Sequence, residues 1–182
     1  MSKALTLTLI FALLLMISCT PRIWVQEEAV KYKGKRYLIG ESTINEVISD
    51  FGNDFTIKDW NGFSYEYFFK SKPVSFSYAQ DNPSKTVRWI NIAVTEKIWL
   101  AEDFILNKST TVEDIVNRFG QADYNYDSTY AGLTLEYDNF DIIIKTTESD
   151  LKFLKSSDLE YQTSSKFYSR FNNHRIKGIE VY

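Results

Sequence analysis

A short motif is written twice in this chain. It reads Ser42-Thr43-Ile44-Asn45-Glu46-Val47-Ile48-Ser49-Asp50-Phe51-Gly52, then Thr110-Thr111-Val112-Glu113-Asp114-Ile115-Val116-Asn117-Arg118-Phe119-Gly120. Apolar residues stand at i, i+3, i+4 and i+7 in both copies: Ile44, Val47, Ile48 and Phe51, then Val112, Ile115, Val116 and Phe119. That spacing makes one apolar face of a short helix. Thr43 with Glu46, and Thr111 with Asp114, stand where a hydroxyl caps the free N–H groups of the first turn and the acid returns the bond. Gly52 and Gly120 end the helices, because glycine takes a left-handed backbone at little steric cost.

The likeness extends on both sides of the helix. Upstream, Tyr37 to Thr43 matches Phe104 to Thr110, and Ile23-Trp24-Val25-Gln26-Glu27-Glu28 echoes Ile98-Trp99-Leu100-Ala101-Glu102-Asp103. Downstream, Tyr65-Glu66-Tyr67 answers Leu135-Glu136-Tyr137, and Val87 to Ile92 answers Ile176 to Val181. The expectation is an α+β fold of two tandem units, 37–97 and 98–182, each a short helix packed on one face of an antiparallel sheet.

Strands are predicted by alternation at Phe63 to Phe69, Val74 to Tyr78 and Val87 to Val94, with polar Asn53 to Asn61 as a connection. The second unit offers Leu133 to Tyr137, Phe140 to Lys145, and a closing hairpin of Phe167 to Phe171 with Arg175 to Tyr182. Tyr124, Tyr126 and Tyr130 read as an exposed cluster. Thr146 to Ser165 suits a marginal helix around Leu151, Leu154 and Leu159 or an extended loop equally well.

Positions apolar in both units are expected to face the helices: Phe63, Tyr65 and Tyr67 against Leu133, Leu135 and Tyr137, and Ile90 and Ile92 against Ile179 and Val181. The opposite sheet face then carries Ser64, Glu66, Phe68, Ser75, Ser77, Trp89 and Asn91, with Glu180 and Tyr182. Phe68 and Trp89 on a polar face suit a binding surface or burial where the units meet.

At the N-terminus, Lys3 precedes an apolar run from Ala4 to Ile17. It is shorter than the roughly 20 residues of a spanning helix, and residues 1–18 read as a signal peptide. Leu15-Met16-Ile17-Ser18-Cys19 resembles the lipobox of bacterial lipoproteins, which implies cleavage before Cys19 and acylation of its sulfur. Cys19 is the only cysteine, so a disulfide within the chain has no partner. Thr20 in place of aspartate implies, by the same resemblance, an outer-membrane rather than inner-membrane anchor. The other reading is an ordinary secretory signal with an incidental cysteine. Residues 19–36 then form a tether and a basic hairpin segment. Lys31-Tyr32-Lys33-Gly34-Lys35-Arg36-Tyr37 is either a solvated turn or a patch for anionic lipid or an acidic partner.

Removal of residues 1–18 takes away Lys3 and leaves 20 basic against 24 acidic residues, a net charge of −4. Such a balance lacks the basic footprint of a nucleic-acid binder. His174 is the only histidine and cannot complete a triad or, with no second histidine or cysteine nearby, a typical metal site. The seven glycines form no phosphate-binding loop. No catalytic residue, metal ligand or cofactor is therefore assigned.

The run from Ile39-Gly40-Glu41-Ser42-Thr43 to Gly52, followed by a small antiparallel sheet and a second copy, resembles the two-domain β-lactamase inhibitory protein fold. The helical part is also similar to the small outer-membrane lipoproteins of the SmpA/OmlA type. The first resemblance implies a partner protein bound on the open face of a continuous sheet; by position Phe68, Trp89, Glu136, Glu180 and Tyr182 would line it. Two features depart from that family: its disulfides are missing, and its acidic hairpin loop is replaced by Lys70-Ser71-Lys72-Pro73. The expected function is a non-catalytic, lipid-anchored envelope protein that binds an unidentified envelope partner through the sheet face. A structural subunit of an outer-membrane assembly complex, and an inhibitor or immunity-type protein, are the alternatives.

Overall fold

The computed structural model describes residues 22–26, 28–127, 132–156 and 164–182, of which 155, 156, 164 and 165 are described by their backbone alone. The signal segment, Cys19, Tyr130 and Leu159 lie outside the described residues.

Both copies of the motif are helices with the predicted ends. In α1 (Ile44–Phe51) the Thr43 hydroxyl accepts the Glu46 N–H, and the Glu46 carboxylate accepts the Thr43 N–H at 2.7 Å. In α2 (Val112–Phe119) Thr111 and Asp114 repeat this exchange, the return bond being 2.8 Å. Gly52 at φ 86° and Gly120 at φ 87° stop them, each donating its N–H to the carbonyl of Ile48 or Val116.

The strands divide into two sheets. β1 (Ile23–Gln26), β2 (Ala29–Tyr32), β3 (Lys35–Leu38), β8 (Ile98–Ala101) and β9 (Phe104–Leu106) form the smaller, in the order β3-β2-β1-β8-β9. β1 and β8, the two echoing segments, pair in parallel with Ile23 opposite Ile98 and Trp24 opposite Trp99. The larger sheet holds β4 (Phe55–Asp59), β5 (Ser64–Phe69), β6 (Val74–Ala79), β7 (Trp89–Ala93), β10 (Asp123–Asp127), β11 (Gly132–Tyr137), β12 (Phe140–Ile144) and β13 (Ile176–Val181). Its order is β10-β11-β12-β13-β7-β6-β5-β4, antiparallel throughout, so β7 and β13 join both sets of strands into one continuous sheet.

One face of the large sheet is covered by the small sheet and the helices. Phe51 of α1 lies 5.5 Å from Tyr32, 5.6 Å from Tyr37, 4.9 Å from Phe69 and 5.3 Å from Phe76, ring centre to ring centre. Phe119 of α2 sits likewise among Phe104, Tyr137 and Phe140. Ile90, Leu133, Leu135, Ile142, Ile179 and Val181 are fully buried beneath this layer.

Four expectations need correction. The segment Asn53 to Asn61 contains an edge strand, β4, because Phe55 and Ile57 alternate with polar neighbours and pair with Phe69 and Tyr67. Phe63 does not face a helix: it precedes β5, in the turn where Asn61 and Gly62 have φ of 54° and 80°, and is 76% exposed. Phe167 to Phe171 is no strand, since it lies within α4 (Ser164–Phe171), and α3 (Glu148–Ser156) occupies the preceding segment. Phe167, Tyr168 and Phe171 are spaced as one helical face and are buried. Tyr124 and Tyr126 belong to β10 and are not an exposed cluster, Tyr124 stacking on Phe167 at 4.0 Å. Among the described residues no helix is long and apolar enough to cross a membrane.

Candidate functional site

Side chains alternate across a sheet, so the face away from the helices is fixed by register. Six residues stand directly opposite one another along it: Phe68, Ser75, Asn91, Glu180, Asp141 and Glu136, from β5 across to β11. Trp89 is opposite Ser77, which is opposite Glu66. A groove of about 860 Å³ runs over these strands, walled by Trp60, Phe63, Phe68 and Trp89. Lys58, Lys72 and Lys177 also line it.

Sequence position alone therefore assembles Phe68, Trp89, Glu136 and Glu180 around one groove. Tyr182 is outside the lining; its hydroxyl donates to the Tyr137 carbonyl and to Asp141 Oδ1, both at 2.9 Å. Trp60, Phe63 and Asp141 were not among the expected site residues. Asp141 could have been found from the alternation of β12, whereas Trp60 follows a polar strand and approaches from its end.

The aromatic walls explain why Ser64, Glu66, Ser75 and Ser77 are buried on a face expected to be open. Glu66 is 4% exposed and fully engaged: Trp60 Nε1 donates to it at 2.8 Å, Asn91 Nδ2 at 3.1 Å, and the Ser75 hydroxyl as well. Phe68 is 40% exposed. The Arg88 guanidinium lies 4.5 Å over the Trp89 ring, and the Lys58 ammonium 3.1 Å over Trp60.

Four carboxylates, Glu180, Asp141, Glu136 and Asp123, follow one another in direct cross-strand succession, which is electrostatically unfavourable. Burial, then the charges of Asp141 and Glu66, push the Glu180 carboxyl up to about 7, against a hydrogen bond from Asn91. Burial also lifts Asp141 to about 6, opposed by the Tyr182 hydroxyl and aided by Glu136. Among the described residues no lysine, arginine or histidine forms an ion pair with Glu66, Glu136, Asp141 or Glu180. The groove thus offers apolar walls and a floor of carboxyl groups that form no ion pair, with Lys58, Lys72 and Lys177 elsewhere in its lining.

His174 lies elsewhere. Its Nε2 is 2.9 Å from Oδ2 of buried Asp150, whose carboxylate also accepts from Thr147 and, at 3.2 Å, from Arg170. This cluster ties α3 and α4 to the start of β13. A smaller cavity of about 470 Å³ is lined by Lys108, Lys145, Arg175 and Lys177 among others. Among the described residues no group of three His, Cys, Asp or Glu side chains could hold a metal ion.

No known protein family, curated protein or solved structure matches the chain.

Proposed function

We propose that this is a non-catalytic, lipid-anchored protein of the bacterial cell envelope, held at the outer membrane through Cys19, which binds a partner protein in the groove of its large sheet. The observation that carries the reading is the grouping of exposed Phe63 and Phe68 with Trp89 beside the acids Glu136, Asp141 and Glu180, none of which forms an ion pair among the described residues. Protein interfaces concentrate their energy in aromatic anchors, and a desolvated acidic floor favours a partner that brings a cation. The fitting partner therefore presents an arginine or lysine flanked by apolar side chains.

Two further points support the reading. The chain reads as two tandem units, since each set of four strands in the large sheet follows one of the matching capped helices. In the β-lactamase inhibitory protein fold, which the repeated motif resembles, a partner is bound on a sheet made by both units, and that supports the same surface here. The basic turn Lys70-Ser71-Lys72-Pro73 speaks against a β-lactamase as the target.

Crosslinking in detergent-solubilised envelopes, read by mass spectrometry, tests this with the wild type and a Trp89→Ala/Phe68→Ala variant. A partner captured by the wild type and lost in the variant is the expected result. Equal capture by both would sink the groove and move the function to a structural role in an assembly complex. Intact mass of the envelope-extracted protein tests Cys19 acylation separately.

A further inference from the structure

The outward face of the small sheet carries chemistry that the groove does not use. Arg36, Lys31, Trp24, Trp99 and Ile105 stand opposite one another in a single row across all five strands. Their oppositely directed neighbours Ile23, Val30, Tyr37, Ile98 and Leu106 are buried, so the row points away from the protein. Trp24 and Trp99 stack with ring centres 5.5 Å apart, and the Arg22 guanidinium lies 5.5 Å over Trp99. Arg22, Lys31, Arg36 and Ile105 are exposed, and the two tryptophans are half-buried. Among the described residues neither Lys31 nor Arg36 forms an ion pair.

Charge is also arranged along the strands. Because β1 and β8 run parallel, Arg22 and the Lys33-Gly34 hairpin tip share the end where both strands begin. Glu28, Glu102 and Asp103 occupy the turns at the other end, where Asp103 is paired with Arg118 at 2.7 Å. The tryptophans, second in their strands, belong to the end that holds Arg22, Lys33 and Lys97 around the acid Glu96.

We infer that this face seats the protein on an anionic lipid surface, with Trp24 and Trp99 at headgroup level and Arg22, Lys31 and Arg36 against lipid phosphates. Stacked indole rings suit the membrane–water interface, and exposed cations add attraction to anionic headgroups. The orientation rests on the acylation reading of Cys19: three peptide units separate it from Arg22, a reach of at most about 11 Å. An acyl chain at Cys19 would hold the tryptophan end of this sheet against the bilayer.

The test uses the unacylated chain from Thr20 onward, which keeps every described element, floated with vesicles of phosphatidylcholine alone or mixed with phosphatidylglycerol. The expected result is binding only to the mixed vesicles, with tryptophan fluorescence quenched by brominated acyl chains. Lys31→Glu/Arg36→Glu, which alters exposed side chains only and should keep the melting temperature, loses roughly tenfold or more in binding. Trp24→Ala/Trp99→Ala loses the quenching. Equal binding to both vesicle types, or binding that ignores both variants, overturns the inference. So does loss of a co-purified acidic protein from either variant without a change in vesicle binding. Vesicle binding as expected, together with an envelope protein lacking acyl mass at Cys19, would overturn the anchor and leave the lipid-binding face standing.

Discussion

Two carboxyl clusters give the protein opposite responses to pH. Glu180 and Asp141 have folded-state values raised to about 7 and about 6, above those of an unfolded chain. Their protonated forms favour folding, so this contribution is full below about pH 4 and is lost as pH rises through 6 to 7. Glu180→Gln should raise the free energy of urea unfolding at pH 8 by roughly 1–3 kcal/mol, and with it the midpoint, with little effect at pH 4.5. Asp150 responds in the other direction. Burial opposes its charge, but hydrogen bonds from Thr147 and His174 outweigh that and hold its carboxyl down to about 2. Its contribution is present above about pH 4 and fades as pH falls through 2. Asp150→Asn should lower the free energy of urea unfolding by about 2–4 kcal/mol at neutral pH, and with it the midpoint, since Arg170 and His174 lose their common charged acceptor. An unchanged midpoint in either variant would refute the corresponding assignment.

At the level of elements, the two helices were readable because their information is local. Spacing, a capping threonine and a terminal glycine fall within one short window, and α1 and α2 begin and end where these signals stand. Thr43→Ala and Thr111→Ala are each expected to cost about 1 kcal/mol in denaturant unfolding. The double variant should show roughly the sum, because the two caps share no partners. Where the fold depended on distant partners, the same signals misled. Phe167 to Phe171 is rich in residues that favour strands, yet Tyr124 and Phe153 supply ring partners that reward a helical face. Phe63 matches Leu133 in the repeat but stands one residue before its strand, where alternation no longer governs direction. The groove was legible in part: alternation located Phe68, Trp89 and Glu180, and the resemblance added Glu136, while Trp60 reaches it only through the tertiary approach of the β4–β5 turn.

Over the whole molecule, the large sheet separates two surfaces of different character. One side holds the core, with the small sheet beyond it; the other holds the acid-floored groove. Their continuity hangs on the β7–β13 seam, where a side chain at Gly178 would place its Cβ 2.9 Å from the Ile92 carbonyl oxygen. Gly178→Ala should therefore cost about 1–3 kcal/mol in urea unfolding; because Gly178 also lines the groove, it should weaken capture of the proposed partner with Phe68 and Trp89 unchanged. Full capture by a destabilised variant would show that the groove tolerates movement at the seam.

The parallel pairing of β1 with β8 also has a kinetic side. β1 is the central strand of the small sheet, yet its neighbours are made at very different times. β2 follows at once, whereas β8 emerges only after β4 to β7. Closing so long a loop carries an entropic cost that grows with the logarithm of its length, and such non-local pairings form late. Until Ile98 has been made, the first hairpin stands with one edge bare, open to any strand that meets it. The first of the described strands to be synthesised is thus among the last to be locked, and a chaperone that shielded this edge would act on the step that completes the fold.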